Sequence, residues 1–271
     1  MQELFSLANK KIVITGATGV LGEAFVQGVA DMDASVILIG RNERVGNERV
    51  KKLQQKNKEA SFIKADVLNE NDLLKARDII MQKFGRIDGL VNAAGGVVAE
   101  SVVKPGDDIF GINMEAMRQA FDLNLFGTML PVSIFGEALK ASGNASIVNI
   151  SSMTAQTTLT RVLGYSMAKA AIDNYTRWMS VEAANRYGEA IRVNAIAPGF
   201  FLTHQNKNLL TNEDGSYTER GENIIRNTPY KRFGKPEELN GALIWLLSDA
   251  SKFVTGEVIC IDGGFHIFSG V

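Results

Sequence analysis

The stretch Lys11-Ile-Val-Ile-Thr-Gly-Ala-Thr-Gly-Val-Leu-Gly22 decides the fold, because a short apolar run passes directly into a glycine-rich turn. Apolar residues at helical spacing follow, at Leu21, Phe25, Val26 and Val29. The three glycines suit a tight turn, close approach of the backbone to a pyrophosphate, and close packing of a helix on a strand. We therefore predict a strand–turn–helix unit whose helix start faces the phosphates of a dinucleotide.

Strand and helix patterns alternate along the rest of the chain. Runs rich in valine and isoleucine alternate with segments of helical periodicity, which predicts an α/β fold. We expect a doubly wound, seven-stranded parallel sheet with helices on both faces, in a single domain over residues 1–271. The expected strands are 12–15, 35–39, 61–64, 87–91, 145–150, 191–196 and 258–261. The expected helices are 22–30, 43–56, 70–83, 114–139, 165–187 and 236–247.

Two long connections interrupt this alternation, at residues 94–113 and 198–235. Long segments without regular structure are commonly functional in a compact domain. Both follow the carboxyl ends of predicted strands, where ligands bind in open α/β sheets. We therefore predict that residues 198–235 form a substrate lid. Pro131 is expected to kink the long fourth helix.

Composition excludes several classes of protein. A net charge of −1 over 271 residues gives no basic surface for nucleic acid. A single cysteine, Cys260, and two histidines, His204 and His266, form no cluster with metal-ligand spacing, so no metal site is expected. The longest uncharged stretch, 141–160, is too polar to span a membrane. The first strand begins by Ile12, which leaves no room for a signal peptide. We expect a cytoplasmic protein with a small-molecule substrate.

Tyr165-Ser-Met-Ala-Lys169, with Ser152 thirteen residues upstream of the tyrosine, is the pattern that carries chemistry. Tyrosine and lysine four residues apart share one face of a helix, so an ammonium lies beside a phenol. Burial raises a phenol pKa above about 10, whereas a cation about 4 Å away contributes roughly 4 kcal/mol, or about three pKa units, in the opposite direction. We predict that Lys169 lowers the pKa of Tyr165 and makes it a proton donor or acceptor near neutral pH.

Short motifs follow the predicted strand ends in a characteristic order. They are Asp66-Val67, Asn92-Ala-Ala-Gly95, Asn124 in Leu-Asn-Leu, Ile150-Ser-Ser152, Pro198-Gly199 with Thr203, and Asp262-Gly263-Gly264. Together with the glycine turn and the Tyr165–Lys169 pair, they make nearly the whole chain resemble the short-chain dehydrogenase/reductase family, which has a Rossmann fold and binds NAD or NADP. The glycine loop, Thr-Gly-x-x-Gly-x-x-Gly, departs from the family's commoner spacing, which leaves the details of the pyrophosphate contact open.

The resemblance implies a role for each matching residue. Tyr165 would exchange a proton with the substrate oxygen, Ser152 would fix that oxygen, and Lys169 would hold the nicotinamide ribose. Asn124 would hold a water that links Lys169 to solvent, and a role in shaping the helix can coexist with this. The implied cofactor-binding residues are Gly16, Thr18, Gly19, Val20, Leu21, Gly22, Arg41, Asp66, Val67, Asn92, Ala93, Ala94, Gly95, Tyr165, Lys169, Pro198, Gly199, Phe201 and Thr203. Family members commonly form tetramers, so a homotetramer is expected.

The preference between NADP and NAD depends on the end of the second strand. A carboxylate there would bind the adenine ribose hydroxyls of NAD, but the position holds Gly40, and Arg41 follows it. Arg41 could pair with the 2′-phosphate of NADP, which favours NADP(H). A solvated surface arginine is the alternative, since the glycine loop itself contains no basic residue, and Glu43 could restore the use of NAD(H). By resemblance, Asp66 would hold the adenine and residues 198–203 the nicotinamide carboxamide.

The long 198–234 segment and the chain end resemble the branch of the family that contains D-mannonate oxidoreductases (fructuronate reductases). This resemblance implies interconversion of a keto sugar acid and its hydroxy acid, such as D-fructuronate and D-mannonate. Arg161 is the first candidate to bind the substrate carboxylate, with Gln205 and Lys207 on the lid, and Met153 would wall the pocket. Solvent exposure is an equal alternative for Arg161 and the better alternative for Lys207. Core packing is an equal alternative for Met153.

The sequence is compatible with two other functions. One is reduction of another carbonyl, such as a 3-oxoacyl thioester or a polyol–ketose pair of the gluconate 5-dehydrogenase type. The other is a dinucleotide sensor without turnover, which would not need Asn124, Ser152, Tyr165 and Lys169 together. The intact set of four residues therefore favours an enzyme.

Overall fold

The computed structural model describes residues 2–203 and 207–270. These residues contain a seven-stranded sheet in which all neighbouring strands are parallel, in the order β3-β2-β1-β4-β5-β6-β7. The doubly wound fold predicted from the sequence is confirmed. The strands are β1 (Lys11–Thr15), β2 (Ser35–Gly40), β3 (Ala60–Lys64), β4 (Gly89–Asn92), β5 (Ala145–Ile150), β6 (Ile191–Pro198) and β7 (Val258–Ile261).

Helices cover both faces of this sheet, and local signals in the sequence set their ends. They are α1 (Val20–Asp31), α2 (Glu43–Gln54), α3 (Glu70–Phe84), α4 (Met114–Phe121), α5 (Gly127–Ser142), α6 (Leu163–Tyr187), α7 (Lys207–Leu210), α8 (Glu219–Asn227) and α9 (Asn240–Leu247). The side chains of Asn42, Asn69 and Asn113 accept hydrogen bonds from the first turns of α2, α3 and α4. Gly85 and Gly143 end α3 and α5 in the left-handed conformation, with φ of 71° and 75°.

Three apolar clusters hold the chain together. Two lie on opposite faces of the sheet, because successive strand side chains point to opposite sides: Ile12 and Ile14 belong to one cluster and Val13 to the other. The third cluster is small and separate. It packs Leu210, Ile224 and Phe233 inside the 198–235 segment, with Phe200 and Leu202 partly buried against them.

The fourth helix predicted from the sequence is two helices, α4 and α5, joined by a π-helical turn at Asp122–Phe126. The irregularity therefore lies in this turn, while Pro131, where we expected the kink, lies inside α5. Side chains replace backbone bonds in the turn. The Asn124 amide donates to the Ala120 carbonyl at 2.9 Å, and the Thr128 hydroxyl donates to the Asn124 carbonyl at 2.8 Å.

The chain reverses its direction of winding between β1 and β4, and this point forms the base of a cleft. Gly16 follows β1 with φ of 63°, and a Cβ atom there would lie 2.5 Å from the Ala93 carbonyl oxygen and 2.6 Å from the Ala94 nitrogen. Both contacts are with backbone, which cannot move aside. Only glycine therefore fits at position 16, and the two loops meet closely at the cleft floor.

Candidate active site

A cleft of about 420 Å³ opens at the carboxyl ends of β1, β4, β5 and β6. Parallel strands end at the same edge of a sheet, which explains why separate parts of the sequence meet here. The lining contains three ionisable side chains, Tyr165, Lys169 and Arg220, and no carboxylate among the described residues. The other lining residues are Gly16, Gly19, Val20, Leu21, Gly22, Ala93, Gly95, Gly96, Val97, Ile150, Ser151, Ser152, Met153, Thr154, Leu159, Val162, Pro198, Gly199, Phe200, Phe201 and Thr203.

Ser152 and Tyr165 meet at one wall of this cleft. Ser152 lies just beyond the end of β5, is 6% exposed, and its hydroxyl accepts a hydrogen bond from the Thr154 hydroxyl at 3.1 Å. Tyr165 lies in the first turn of α6 and is partly buried, and the neighbouring Ser152 hydroxyl acts to lower its pKa. The two hydroxyls that the sequence predicted as partners therefore lie side by side and face the cleft.

Lys169 lies one helical turn beyond Tyr165 and is almost completely buried, at 3% exposure. Its Nζ donates to the Ile150 carbonyl oxygen at 2.7 Å and lies 5.4 Å from the centre of the Tyr165 ring. Burial lowers the Lys169 pKa to about 8, and the charge of Asp173 opposes this change. The buried Asp173 carboxylate accepts a hydrogen bond from the Ser151 hydroxyl. A lysine of this pKa can gain or lose its proton near physiological pH.

The pKa of Tyr165 differs from the expectation drawn from the sequence. Burial raises it above the ordinary value, and the hydrogen bond with Ser152 is what opposes the rise. Lys169, which we expected to lower the pKa, instead directs its ammonium to the Ile150 carbonyl. Desolvation thus sets the direction of the Tyr165 pKa shift, and this direction favours the protonated phenol, which can donate a proton.

Asn124 lies in the π-helical turn and is fully buried. Its Oδ1 accepts a bond from the Gly96 nitrogen at 2.9 Å, and its Nδ2 donates to the Gly96 carbonyl at 2.9 Å. The Asn124 amide therefore fixes the loop after β4. A Cβ atom on Gly95 would lie 2.8 Å from Asn124 Oδ1 and 3.3 Å from Lys169 Nζ, so the three residues are close neighbours. The helix-shaping role considered from the sequence is present, and the water-holding role stays a prediction.

The glycine turn fits the pyrophosphate of a dinucleotide. Helix α1 begins after Gly19 with no side-chain cap on its first turn, and Gly16, Gly19 and Gly22 all line the cleft. A Cβ atom on Gly22 would lie 2.3 Å from the Gly16 carbonyl oxygen, so the turn packs too tightly for larger residues. A chain with side chains here would fill the space that the phosphates need.

Most of the predicted cofactor-binding residues line the cleft, and six lie outside its lining. These six are Thr18, Arg41, Asp66, Val67, Asn92 and Ala94. Asn92 is buried at the end of β4, where its Nδ2 donates to Asn149 Oδ1 at 2.9 Å, so it ties two strands together. Arg41 is 74% exposed, with its guanidinium 3.8 Å from the Asp66 carboxylate. Arg41 and Asp66, the two residues predicted to bind the adenosine part of the cofactor, therefore lie next to each other outside the cleft lining.

A cation that the sequence prediction missed supports the glycine turn. Arg49 reaches from α2, donates to the carbonyl oxygens of Ala17 and of Gly19 (2.9 Å for the latter), and pairs with Glu23 at 3.0 Å. Burial lowers the Arg49 pKa. Its place thirty residues beyond the turn gives no local signal in the sequence. Arg49 therefore supplies the glycine turn with a basic residue that the sequence of the turn itself does not contain.

The predicted substrate residues fall into different environments. Met153 lines the cleft and is 1% exposed. Arg161 lies outside the cleft lining, in a neighbouring cavity that shares Thr154 and Leu159 with it. Lys207 is exposed at the start of α7 and outside the lining, as the solvated alternative requires. Gln205 lies outside the described residues. The sequence prediction missed Arg220, which lines the cleft from the lid segment.

Two kinds of site are absent from the part of the chain that the structure describes. No group of three or more histidine, cysteine, aspartate or glutamate side chains is arranged to hold a metal ion there. No described helix has the length and apolar character to cross a membrane.

The chain is similar to known oxidoreductases along nearly its whole length. Residues 16–266 match the family model described as enoyl-(acyl carrier protein) reductase. The uncharacterized oxidoreductase UxuB of Bacillus subtilis (strain 168) is 40% identical over 275 residues, with 98% of each chain covered. A Haemophilus influenzae protein provisionally assigned as a D-mannonate oxidoreductase, with bound NAD, superposes with a TM-score of 0.91 at 38% identity and 98% coverage of both chains. A gluconate 5-dehydrogenase from Burkholderia cenocepacia J2315, in complex with NADP and tartrate, gives 0.86 at 27% identity over 97% of this chain and 98% of that chain.

Proposed function

The chain belongs to the short-chain dehydrogenase/reductase family, and on that premise we propose that it interconverts a keto sugar acid and the corresponding hydroxy acid. Membership makes it an NAD(P)-dependent oxidoreductase that acts on CH–OH groups. Our proposed substrate pair is D-fructuronate and D-mannonate. It is supported by the similarity to the Haemophilus influenzae protein and to the gluconate dehydrogenases, whose names specify sugar acids.

The observation that carries the proposal is the convergence of Ser152, Tyr165 and Lys169 at a cleft whose other end is the glycine turn. The nicotinamide, when bound, supplies or accepts the hydride. Ser152 would hold the substrate oxygen by a hydrogen bond, and Tyr165 would give its hydroxyl proton to that oxygen during reduction. Lys169 would place a positive charge beside the phenolate that forms. In oxidation the same proton would return from the substrate hydroxyl to Tyr165.

The substrate is tested by following the oxidation of NADPH, and separately of NADH, with D-fructuronate, D-tagaturonate, 5-keto-D-gluconate and an acetoacetyl thioester. We expect turnover of D-fructuronate to exceed that of the other three. The Tyr165→Phe variant measures the background rate. Turnover of the acetoacetyl thioester alone would make the protein a reductase of 3-oxoacyl thioesters and contradict the sugar-acid proposal. Binding of a cofactor with no turnover would favour a sensor.

We propose NADP(H) as the preferred cofactor, because Arg41 stands exposed at the end of β2 where a 2′-phosphate would lie. A Cβ atom on Gly40 would lie 2.7 Å from the Thr18 hydroxyl, so a carboxylate can replace the glycine only if the Thr18 side chain moves. Arg49 adds a second positive charge below the turn.

We expect Arg41→Ala to lower kcat/KM for NADPH about 10- to 100-fold, because charge-assisted bonds to phosphate contribute about 1.5–3 kcal/mol. The value for NADH should change little. Arg44→Ala is the matched control, since both side chains are 74% exposed and Arg44 pairs only with Glu48 among the described residues. Steady-state kinetics with both cofactors check this, and an equal loss for NADH would refute a 2′-phosphate role.

We propose that the protein is a homotetramer assembled through α5 and α6. These helices and the turn before them expose Phe126 (50%), Trp178 (57%) and Val181 (57%), and burial of such side chains is favourable. Light scattering at micromolar concentration is expected to give the mass of four chains. A monomer mass under those conditions would contradict the proposal.

A further inference from the structure

Arg220 is the only cation in the cleft besides Lys169, among the described residues, and the fold holds its backbone in place. Thr218 caps the start of helix α8, and its side chain accepts a hydrogen bond from the Gly221 nitrogen at 3.1 Å. A Cβ atom on Gly221 would lie 2.2 Å from the Leu210 carbonyl oxygen, so α8 packs directly on α7. Ile224, one turn further along α8, belongs to the third apolar cluster. The guanidinium is therefore presented to the cleft from a packed helix rather than from a loose loop.

A second guanidinium, that of Arg161, acts on Arg220 through its positive charge from a different part of the chain. Burial lowers the Arg220 pKa, and the positive charge of Arg161 lowers it further. Arg161 is held in the left-handed region, with φ of 76°, and its carbonyl accepts a bond from the Val103 nitrogen at 2.9 Å. Its cavity adjoins the cleft across Thr154 and Leu159.

No counter-ion balances these two charges among residues 2–203 and 207–270. Neither guanidinium donates a hydrogen bond or forms an ion pair with a described residue, and neither cavity is lined by a described aspartate or glutamate. Arg220 is half-buried in the cleft wall, and Arg161 is exposed in the adjoining cavity. An anion bound beside Arg220 would offset the positive charges of both guanidinium groups. The glycine turn, which would hold the cofactor pyrophosphate, is a different part of the cleft lining from Arg220. We therefore assign the anion to the molecule that would bind beside Tyr165.

We propose that Arg220 and Arg161 together bind the carboxylate of the substrate and so select sugar acids over neutral sugars. This inference rests on the proposed function for its choice of substrate. The planar guanidinium matches a carboxylate with two parallel hydrogen bonds, and two such groups from different segments define its position. Because Arg220 lies in the 198–235 segment and Arg161 does not, the carboxylate would also tie this segment to the body of the domain.

The test compares D-fructuronate with D-fructose, which carries a hydroxymethyl group in place of the carboxylate. We expect Arg220→Gln and Arg161→Gln each to lower kcat/KM for D-fructuronate about 10- to 100-fold and to leave the value for D-fructose unchanged. Arg220→Lys should recover part of the loss, since it keeps the charge but loses the paired bonds. Arg226→Gln is the matched control, because Arg226 lies on the same helix, is exposed, and does not line the cleft.

Calorimetric binding of D-mannonate, with D-mannitol as its neutral counterpart, separates this inference from the proposed function. Binding of D-mannonate that depends on Arg220, without turnover of D-fructuronate, would support the anion site and refute the proposed reaction. Equal kcat/KM for D-fructuronate in the wild type and in Arg220→Gln would refute the anion site and leave the reaction standing. A rise in the KM of NADPH, with no change in selectivity between acid and neutral sugar, would assign the anion to the cofactor and also overturn the inference.

Discussion

Replacing Tyr165 by phenylalanine is expected to lower kcat for ketone reduction by roughly 10²- to 10⁴-fold, the usual contribution of a positioned general acid. The change removes one oxygen atom and leaves the ring in the wall of the cleft. Burial raises the Tyr165 pKa, so the wild-type hydroxyl holds its proton through neutral pH and can deliver it to the substrate oxygen. The variant has no proton to deliver, and Ser152 alone can only hold that oxygen.

Tyr175→Phe is the matched control for this experiment. Tyr175 lies on the same helix, and burial raises its pKa to about 12, but it packs near α5 away from the cleft. Single-turnover rates with saturating NADPH would separate the chemical step from cofactor binding. If Tyr165→Phe retained more than about a tenth of the wild-type rate, another group would have to deliver the proton.

Lys169→Met is expected to lower kcat/KM for reduction by roughly 10²-fold or more, since it removes a preorganised charge from a site that excludes water. In the wild type, the same activity should fall as the pH rises through about 8, because the buried ammonium loses its proton there. Tyr165 does not explain such a fall, since its pKa is raised above the ordinary value of about 10. The variant should lack this alkaline limb in its residual activity.

Stability changes in the opposite direction, which distinguishes titration from unfolding. The folded-state pKa of Lys169 is lowered from 10.5 to about 8, so its buried charge destabilises the fold below pH 8 and this effect is relieved between about 8 and 10.5. Unfolding curves at pH 7 and pH 9 should therefore show no destabilisation from Lys169 while activity falls. A wild-type pH profile that stays flat up to pH 10 would refute the role of the Lys169 charge.

The sequence predicted the sheet more closely than it predicted the helices. Strands β5 and β7 match their predicted bounds, because both appear as short apolar runs with sharp ends, although β5 is buried and β7 only partly buried. The π-helical turn at Asp122–Phe126 was missed because its cause is a set of side-chain bonds, from Asn124 and Thr128, that periodicity does not reveal. Because these side-chain hydrogen bonds were not predicted, the irregularity in the helix was expected at Pro131 instead of at this turn.

Among the site residues, those in short local motifs were predicted, and those that reach the site from distant parts of the sequence were not. Ser152, Tyr165 and Lys169 could be found because they lie on regular elements at fixed spacing, and the structure places them together. Arg49 and Arg220 could not be found, because each acts across the fold on partners that are distant in sequence. The sign of the Tyr165 pKa shift depended on the depth of burial and on the direction of the Lys169 side chain, which no motif encodes.

The third apolar cluster has a consequence for how this protein can evolve. Leu210, Ile224 and Phe233 share no member with the two clusters that pack the sheet. We expect mutations of these three residues to weaken the packing of the 198–235 segment, and of Phe265 against it, more than the packing of the sheet. We propose this segment as the substrate lid, so a library confined to these three positions should yield folded proteins with changed specificity. Phe201 lies in the same segment but belongs to a sheet cluster, and we expect its substitution to cost stability.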